Sequence, residues 1–192
     1  MDRATFELVN GSDVVRVHVA DLGGDLFRIA TPDNSTVAPA VAVSDATVVA
    51  SLHGTGLSGP AVVDVQLSDD VRWNVRLAGG AKDEAVDLTG GSGGDVDFAA
   101  GTTRASVVLP AAAGTQRVVL GGGASELLVR LAGEAPVRVA ANGGAGSVTV
   151  DGSTHTGIGS GSNWTPADWA AATNRYDVDA TAGVSSLTVQ RS

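Results

Sequence analysis

An internal repeat of about 21 residues is the feature that most limits the folds open to this chain. One column of aliphatic residues recurs at spacings of 21, 22 and 21 residues and consists of Val75, Val96, Val118 and Val139. A second column recurs at spacings of 21, 20 and 21 residues and consists of Leu88, Leu109, Val129 and Val150. Each period holds two short strand-like segments and a glycine-rich corner. This pattern is typical of a β-solenoid, whose coils bury their apolar faces by stacking on one another.

The repeat also suggests how the chain is organised. One further copy runs from Tyr176 to Val189, and its Val178 lies 39 residues after Val139, which is nearly two periods. We therefore expect one domain over residues 1–192. Its predicted parts are less regular strands at 1–70, regular repeats at 71–157, an insertion at 158–175 and a final coil at 176–192.

Strict alternation of apolar and polar residues predicts half-buried strands outside the regular repeats as well. The apolar members of these strands include Phe6, Leu8, Val15, Val17, Val19, Phe27, Ile29, Val63, Val65, Leu67, Trp73, Val75 and Leu77. Turn sequences rich in glycine, asparagine and aspartate separate the strands. The fold class is therefore all-β.

Two other architectures share part of this signal. Leucine-rich repeats have a similar period, but no segment of this chain carries their L-x-x-L-x-L-x-x-N signature. An antiparallel β-sandwich, with strands every 8–12 residues, remains the alternative. The regular column spacing favours a single-domain β-solenoid, similar to a right-handed β-helix.

Residues 158–175 interrupt the repeat, and we interpret them as an insertion with a short helix. Thr165 fits the N-cap position and Pro166 the first helical position. We expect this helix to cap an open end of the solenoid, where strand edges would otherwise be unpaired. Trp164 and Trp169 would then form a hydrophobic lid, and their alternative role is an aromatic platform for a ligand or partner.

Composition argues against several classes of partner. Twelve basic and 21 acidic residues give a net charge of −9, so the chain lacks the positive field that attracts nucleic acid or anionic membranes. The first eight residues contain no apolar signal-peptide core, and no segment approaches the ~20 apolar residues of a membrane span, so we expect no direct membrane insertion by this chain. The chain contains no cysteine, which excludes disulfides and thiol chemistry.

Two glycine-rich motifs resemble ligand-binding sequences. Residues 54–59 match G-x-G-x-x-G, but Pro60 leads into another predicted strand, whereas a dinucleotide site requires a helix there. Residues 90–98 resemble one copy of the calcium-binding nonapeptide of β-helices, which makes Asp95 and Asp97 weak calcium candidates. A structural turn is the favoured interpretation of both motifs, and we expect no cofactor.

Catalytic patterns are equally sparse. The three histidines have no spacing that indicates a local metal site; they are His18, His53 and His155. The adjacent carboxylate pairs available for glycosidase chemistry are Asp69 with Asp70 and Asp83 with Glu84. Adjacent residues of a strand point to opposite faces, whereas a glycosidase needs both carboxylates in one groove. We therefore expect no enzymatic activity.

Alignment of the repeat brings out five segments of glycine, serine and aliphatic residues: VRLAGGA at 75–81, LGGGAS at 120–125, GGAGSV at 143–148, YDVD at 176–179 and GVSSLTV at 183–189. In these segments the chain resembles the adhesin-like or "toast-rack" β-solenoid domains of bacterial envelope proteins, including the LiaF-type regulators of cell-wall stress. The first third is similar to uncharacterised actinobacterial proteins that have one upstream membrane helix. The resemblance implies an extracytoplasmic domain anchored by a segment outside this chain, and it brings no catalytic residues.

Three functions follow from these observations as hypotheses. The leading one is a non-enzymatic envelope domain that acts as scaffold, sensor or interaction module toward a protein or cell-wall partner. The second is self-assembly of stacked coils into oligomers or filaments, and a cytoplasmic location is the alternative to the extracytoplasmic one. The third, a β-helical enzyme acting on polysaccharides, is the least favoured.

Overall fold

The computed structural model describes residues 2–192, which form eighteen strands and no helix, and therefore no helix able to cross a membrane. The strands are β1 (Arg3–Leu8), β2 (Val14–Ala20), β3 (Phe27–Ala30), β4 (Val37–Ser44), β5 (Thr47–Gly54), β6 (Val62–Ser68), β7 (Arg72–Leu77), β8 (Ala81–Asp87), β9 (Val96–Phe98), β10 (Thr102–Leu109), β11 (Thr115–Leu120), β12 (Ala124–Leu131), β13 (Val137–Ala141), β14 (Ala145–Val150), β15 (Ser153–Ile158), β16 (Ser162–Trp164), β17 (Arg175–Ala180) and β18 (Val184–Arg191).

The strands form two sheets of nine. Sheet 1 has the order β16-β13-β17-β11-β9-β7-β1-β5-β4, and sheet 2 the order β15-β14-β18-β12-β10-β8-β2-β6-β3. The seven inner strands of each sheet pair in parallel, and each coil contributes one strand to each sheet. This parallel stacking confirms the β-solenoid and rules out the antiparallel sandwich.

The first predicted column matches the observed register. Val75 pairs with Val96, and Val96 pairs with Val118. Val178 lies between Val118 and Val139 in the same row. The prediction therefore identified one inward-facing row of sheet 1 correctly.

The second predicted column is out of register by two residues at one step, from Leu109 to Val129. Val129 pairs with Val107, and Leu109 pairs with Leu131, so the spacing there is 22 residues rather than 20. A shift of two residues keeps every side chain on the same face of a strand. All these residues are therefore inward-facing, as predicted, although the alignment between coils was not.

The order of the coils in space differs from their order in sequence. The β1–β2 coil lies between β5–β6 and β7–β8, and the β17–β18 coil lies between β11–β12 and β13–β14. Residues 176–192 are therefore the last coil of the chain but not the last of the solenoid. The gap of 39 residues between Val139 and Val178 arises because the chain first forms the terminal strands β15 and β16 and only then forms β17, which lies one coil further in.

Antiparallel strands, not a helix, close both ends. At one end β4 and β3 pair with β5 and β6, and at the other β16 and β15 pair with β13 and β14. The short helix predicted in the insertion does not form: residues 167–171 are a turn with one backbone bond of helical spacing, from Ala172 N to Asp168 O at 3.0 Å. Arg175 Nη1 donates to the carbonyl oxygens of Trp169 and Ala170 at 3.2 and 2.9 Å, which are the acceptors that an extension beyond Ala172 would need, so only this single turn forms.

The core lies between the inner faces of the sheets and extends along the whole stack. Its largest fully buried side chains are Trp73, Tyr176, Phe6 and Phe98. Their polar atoms have backbone partners: Trp73 Nε1 donates to Ser68 O at 2.9 Å, and the Tyr176 hydroxyl lies 2.7 Å from both Pro110 O and Ala132 O. Burial raises the pKa of Tyr176, which keeps its hydroxyl protonated as a donor.

Glycine is required at one corner of three coils, where that corner stacks on a neighbouring coil. A Cβ at Gly122 would lie 2.1 Å from the carbonyl carbon of Ala100. Gly79 and Gly143 meet the backbone of the neighbouring coil in the same way, at 2.0 and 2.2 Å. Because the obstructing atoms are backbone, a side chain at these positions forces adjacent coils apart.

This contact predicts a sharp difference between two adjacent glycines. We expect Gly122→Ala to lower the free energy of unfolding by about 1–3 kcal/mol, because overpacking displaces the backbone. Gly123→Ala is the matched control, since its Cβ would lie 3.5 Å from Gly183 O, an ordinary contact. Urea unfolding followed by circular dichroism measures both, and equal stability of the two variants would contradict the tight corner.

Candidate interaction surfaces

The outer face of sheet 1 carries a groove of alternating charge, which we call the sheet 1 groove. It lies over β7, β9 and β11, and its outward-facing residues are Asn74, Arg76, Asp95, Asp97, Arg117 and Val119. Side chains in the same row of a parallel sheet lie one strand apart, about 4.8 Å. Opposite charges on neighbouring coils are therefore held at contact distance.

Ion pairs fix the charged side chains around this groove. Arg76 bridges two coils, with Nε 3.4 Å from Glu7 Oε1 and a closer pairing to Asp97. Asp177 accepts two bonds of 2.8 Å from Arg138, a bidentate pair that is planar and directional. Arg117 is the most weakly held, since its Nε lies 3.8 Å from Asp177 and its side chain is 61% exposed.

The two calcium candidates belong to this groove. Asp95 Oδ1 accepts the backbone N–H of Arg117 at 2.9 Å, and Asp97 pairs with Arg76. Over residues 2–192 no three acidic, histidine or cysteine side chains are grouped as a metal would require. In the structure these aspartates form the hydrogen bond and the ion pair that join β9 to β11 and to β7.

Sheet 2 carries a second groove over β8, β10 and β12, the sheet 2 groove. Its outward-facing residues are Asp83, Ala85, Arg104, Ser106, Glu126 and Leu128. The Arg104 guanidinium beside Asp83 lowers the pKa of that carboxyl. Both outer faces thus combine a row of paired charges with a half-buried aliphatic side chain.

The structure places Trp169 over sheet 1 rather than at the end of the solenoid. The guanidinium carbons of Arg138 and Arg175 lie 4.6 Å from the centre of its ring, and its Nε1 donates to Tyr176 O at 2.7 Å. These cation–π contacts hold the 165–174 loop against β13 and β17. The predicted ligand role of Trp169 would have to compete with this packing.

Trp164 does lie at the solenoid end, as the lid hypothesis expects. It pairs with Val139 across β16 and β13 and packs against the core. Its ring lies against that of His155 of β15, with the ring centres 5.3 Å apart and the ring planes inclined by 32°. The two side chains meet between the edges of the two sheets, so Trp164 covers the last core layer.

The carboxylate pairs do not converge. Asp83 points outward, whereas Glu84 points into the core and is 2% exposed. Asp69 and Asp70 lie in the turn between β6 and β7. The G-x-G-x-x-G match at 54–59 likewise leads into β6, so the strand predicted after it is confirmed.

Sequence reasoning missed the unusual state of Glu84. Burial raises the pKa of its carboxyl to about 8, and neither carboxylate oxygen has a hydrogen-bond partner in the described part of the chain. Its row neighbours are Val15 and Ala105. The signal was present in the sequence, because Glu84 precedes inward-facing Val86 by two residues and must share its face.

Comparison with known proteins gives a relation in structure but not in sequence. No family model and no curated protein matches the chain. A chain from Clostridium sporogenes described as a "putative cell adhesion protein" superposes with a TM-score of 0.68 at 14% identity, covering 100% of this chain and 93% of that one. That similarity establishes the fold.

A second chain, described as a "putative adhesin" from Bacteroides fragilis, aligns over 98% of this chain and 93% of its own length at 12% identity. Its TM-score of 0.28 is too low to bear on the fold.

Proposed function

We propose that the protein is a non-enzymatic interaction module at the bacterial cell surface, binding a protein or cell-wall partner through the outer face of sheet 1. The observation that carries this proposal is the sheet 1 groove, in which rows of paired charged side chains lie on a stiff parallel sheet. Repeat folds use extended surfaces of this kind for binding. The adhesin-like fold supports it, as does the resemblance to envelope domains of the "toast-rack" type.

Arg117 is the residue of this groove best placed to meet a partner. Its side chain is 61% exposed, and its nearest acidic atom, Asp177 Oδ2, is 3.8 Å from its Nε. The half-buried Val119 lies two residues along the same strand, on the same face. An arginine beside an aliphatic side chain provides both directional hydrogen bonds and apolar contact, the combination typical of binding hot spots.

We expect Arg117→Ala to weaken binding to purified cell envelopes of the producing organism at least tenfold. Arg130→Ala is the matched control, because Arg130 is an exposed arginine on the outer face of sheet 2. Sedimentation of the protein with envelope material, over a concentration series and at two salt concentrations, measures both affinities. Unchanged binding by Arg117→Ala, or an equal loss in both variants, would exclude the sheet 1 groove as the binding surface.

The extracytoplasmic location is tested on intact cells that express the full-length native gene product with a C-terminal tag. Protease added outside should remove this domain while a cytoplasmic marker stays whole. Protection of the domain until the cells are lysed would contradict a surface role.

A further inference from the structure

β4 is the longest terminal strand of the solenoid. β4 ends sheet 1, and within residues 2–192 no strand pairs with its outer edge. Its sequence, VAPAVAVS, contains no charged side chain in a chain with a net charge of −9. Val41 and Val43 are 41% and 54% exposed, although they pair with the fully buried Ala50 and Val48. This end therefore presents an apolar, uncharged edge.

The hydrogen bonds of β4 to β5 show which backbone groups face outward. Thr55 N donates to Thr36 O at 3.0 Å, so residue 36 and every second residue after it point their backbone groups toward β5. The groups of Val37, Pro39, Val41 and Val43 then point to the free edge. Ser35 Oγ accepts the N–H of Val37 at 3.2 Å, and Pro39 has no N–H. Val41 and Val43 retain both donor and acceptor.

We propose that this edge pairs with the β4 edge of a second copy, antiparallel and about a twofold axis at Ala42. In that register Val41 of each copy lies opposite Val43 of the other. The two pairs exchange four N–H···O bonds and use every free donor of the edge, while the Pro39 residues stay outside the bonded pairs. Sheet 1 of one copy then continues into sheet 1 of the other.

A second copy suits this edge better than a head-to-tail neighbour. The sheet 1 edge at the opposite end is β16, which has only three residues against the eight of β4. Head-to-tail stacking would therefore leave most of β4 unpaired. Twofold pairing about Ala42 matches residues 40–44 with 44–40 of the other copy, five residues with five, and closes the assembly at two copies.

Electrostatics allow the pairing despite the acidic charge of each copy. The nearest acidic side chain in the chain, Asp45, lies in the β4–β5 turn and pairs with no charged residue in the proposed register. The two Asp45 residues would be six strand positions apart, which is ~20 Å at 3.3–3.4 Å per residue. Their repulsion is screened, because the Debye length is about 8 Å at physiological salt.

The test is a charge exchange at Ala42, whose side chain is exposed on the outer face. The proposed axis sets the two Ala42 residues directly opposite each other. We expect Ala42→Lys and Ala42→Glu each to raise the dimer dissociation constant at least tenfold, because like charges then face one another. An equimolar mixture of the two variants should form a heterodimer at least as tight as the wild-type dimer.

Sedimentation equilibrium over a wide concentration range measures these constants, and circular dichroism confirms that each variant is folded. Thr156→Lys, on exposed β15 at the other end, is the control and should dimerise as the wild type does. A wild type that stays monomeric at millimolar concentration overturns the proposal, as does a dimer insensitive to Ala42→Lys. Failure of the mixture to reassociate overturns the twofold register. Binding of an extended peptide to β4 of a monomer would assign the edge to another occupant.

Discussion

Val129→Asp is expected to abolish cooperative folding. Val129 is fully buried in sheet 2, between Val107 and Val189 of the neighbouring coils. A carboxylate there has no cation to pair with, and an uncompensated buried charge costs ~3–5 kcal/mol against a typical stability of ~5–15 kcal/mol. The loss spreads, because each coil is stabilised mainly by its contacts with the two coils beside it.

The matched control is the next residue in the strand. Arg130 points outward, so we expect Arg130→Asp to change the free energy of unfolding by about 0.5 kcal/mol or less. Urea titrations of both variants, followed by far-ultraviolet circular dichroism, make the comparison. If both variants unfold like the wild type, Val129 does not lie in the core row assigned to it.

The sequence alone predicted the solenoid and the inward-facing residues, but not the full register. Alternation fixes which face a side chain occupies, and a slip of two residues leaves that face unchanged. The wrong alignment of Leu109 with Val129 therefore produced the same predicted core as the observed pairing of Leu109 with Leu131. Only the hydrogen-bond ladder distinguishes the two alignments.

Coil order was unpredictable for a related reason. The interior rows of all coils carry similar aliphatic residues, so each coil is compatible with several neighbours. Val178 pairs with both Val118 and Val139, and no spacing rule places it between them. The signal was the irregular 39-residue gap, which reflects the antiparallel excursion of β15 and β16 that closes the end before β17 begins.

The candidate surfaces were only partly visible in the sequence. The sequence indicated Asp95 and Asp97, but their partners come from other coils and depend on the register: the backbone N–H of Arg117 donates to Asp95, and Arg76 pairs with Asp97. The short helix predicted after Thr165 is limited to one turn because Arg175 binds the carbonyl groups of Trp169 and Ala170, which a second turn would use. Short isolated helices are marginally stable, so a capping pattern alone does not determine whether one forms.

Glu84 is expected to make the protein less stable as the pH rises from about 4.5 to about 8. Its carboxyl has a pKa near 4.5 in the unfolded chain and about 8 in the folded one, mainly because burial penalises the charged form. The nearby Thr102 hydroxyl favours the charged form, but it is directed toward Arg104 O, 3.1 Å away. Between the two values the folded state binds more protons than the unfolded state, so stability falls with pH.

The size of this effect follows from the difference between the two pKa values. Each unit of pKa corresponds to about 1.4 kcal/mol, so the stability lost between pH 4.5 and pH 8 is on the order of 5 kcal/mol. Below pH 4.5 both states are protonated and the loss disappears. Above pH 8 both states are ionised and the loss is complete.

Glu84→Gln isolates this contribution because glutamine has nearly the same shape and does not titrate. We expect the variant to be more stable than the wild type at pH 8, and the two stability profiles to converge toward pH 4.5. Glu126→Gln is the control, since Glu126 is exposed on the outer face of β12 and its removal should leave the profile of the wild type intact. Urea unfolding at half-unit pH intervals gives all three profiles. Parallel profiles for wild type and Glu84→Gln would mean that the Glu84 carboxyl is charged and solvated in the folded protein, which requires the core between β2 and β10 to admit water.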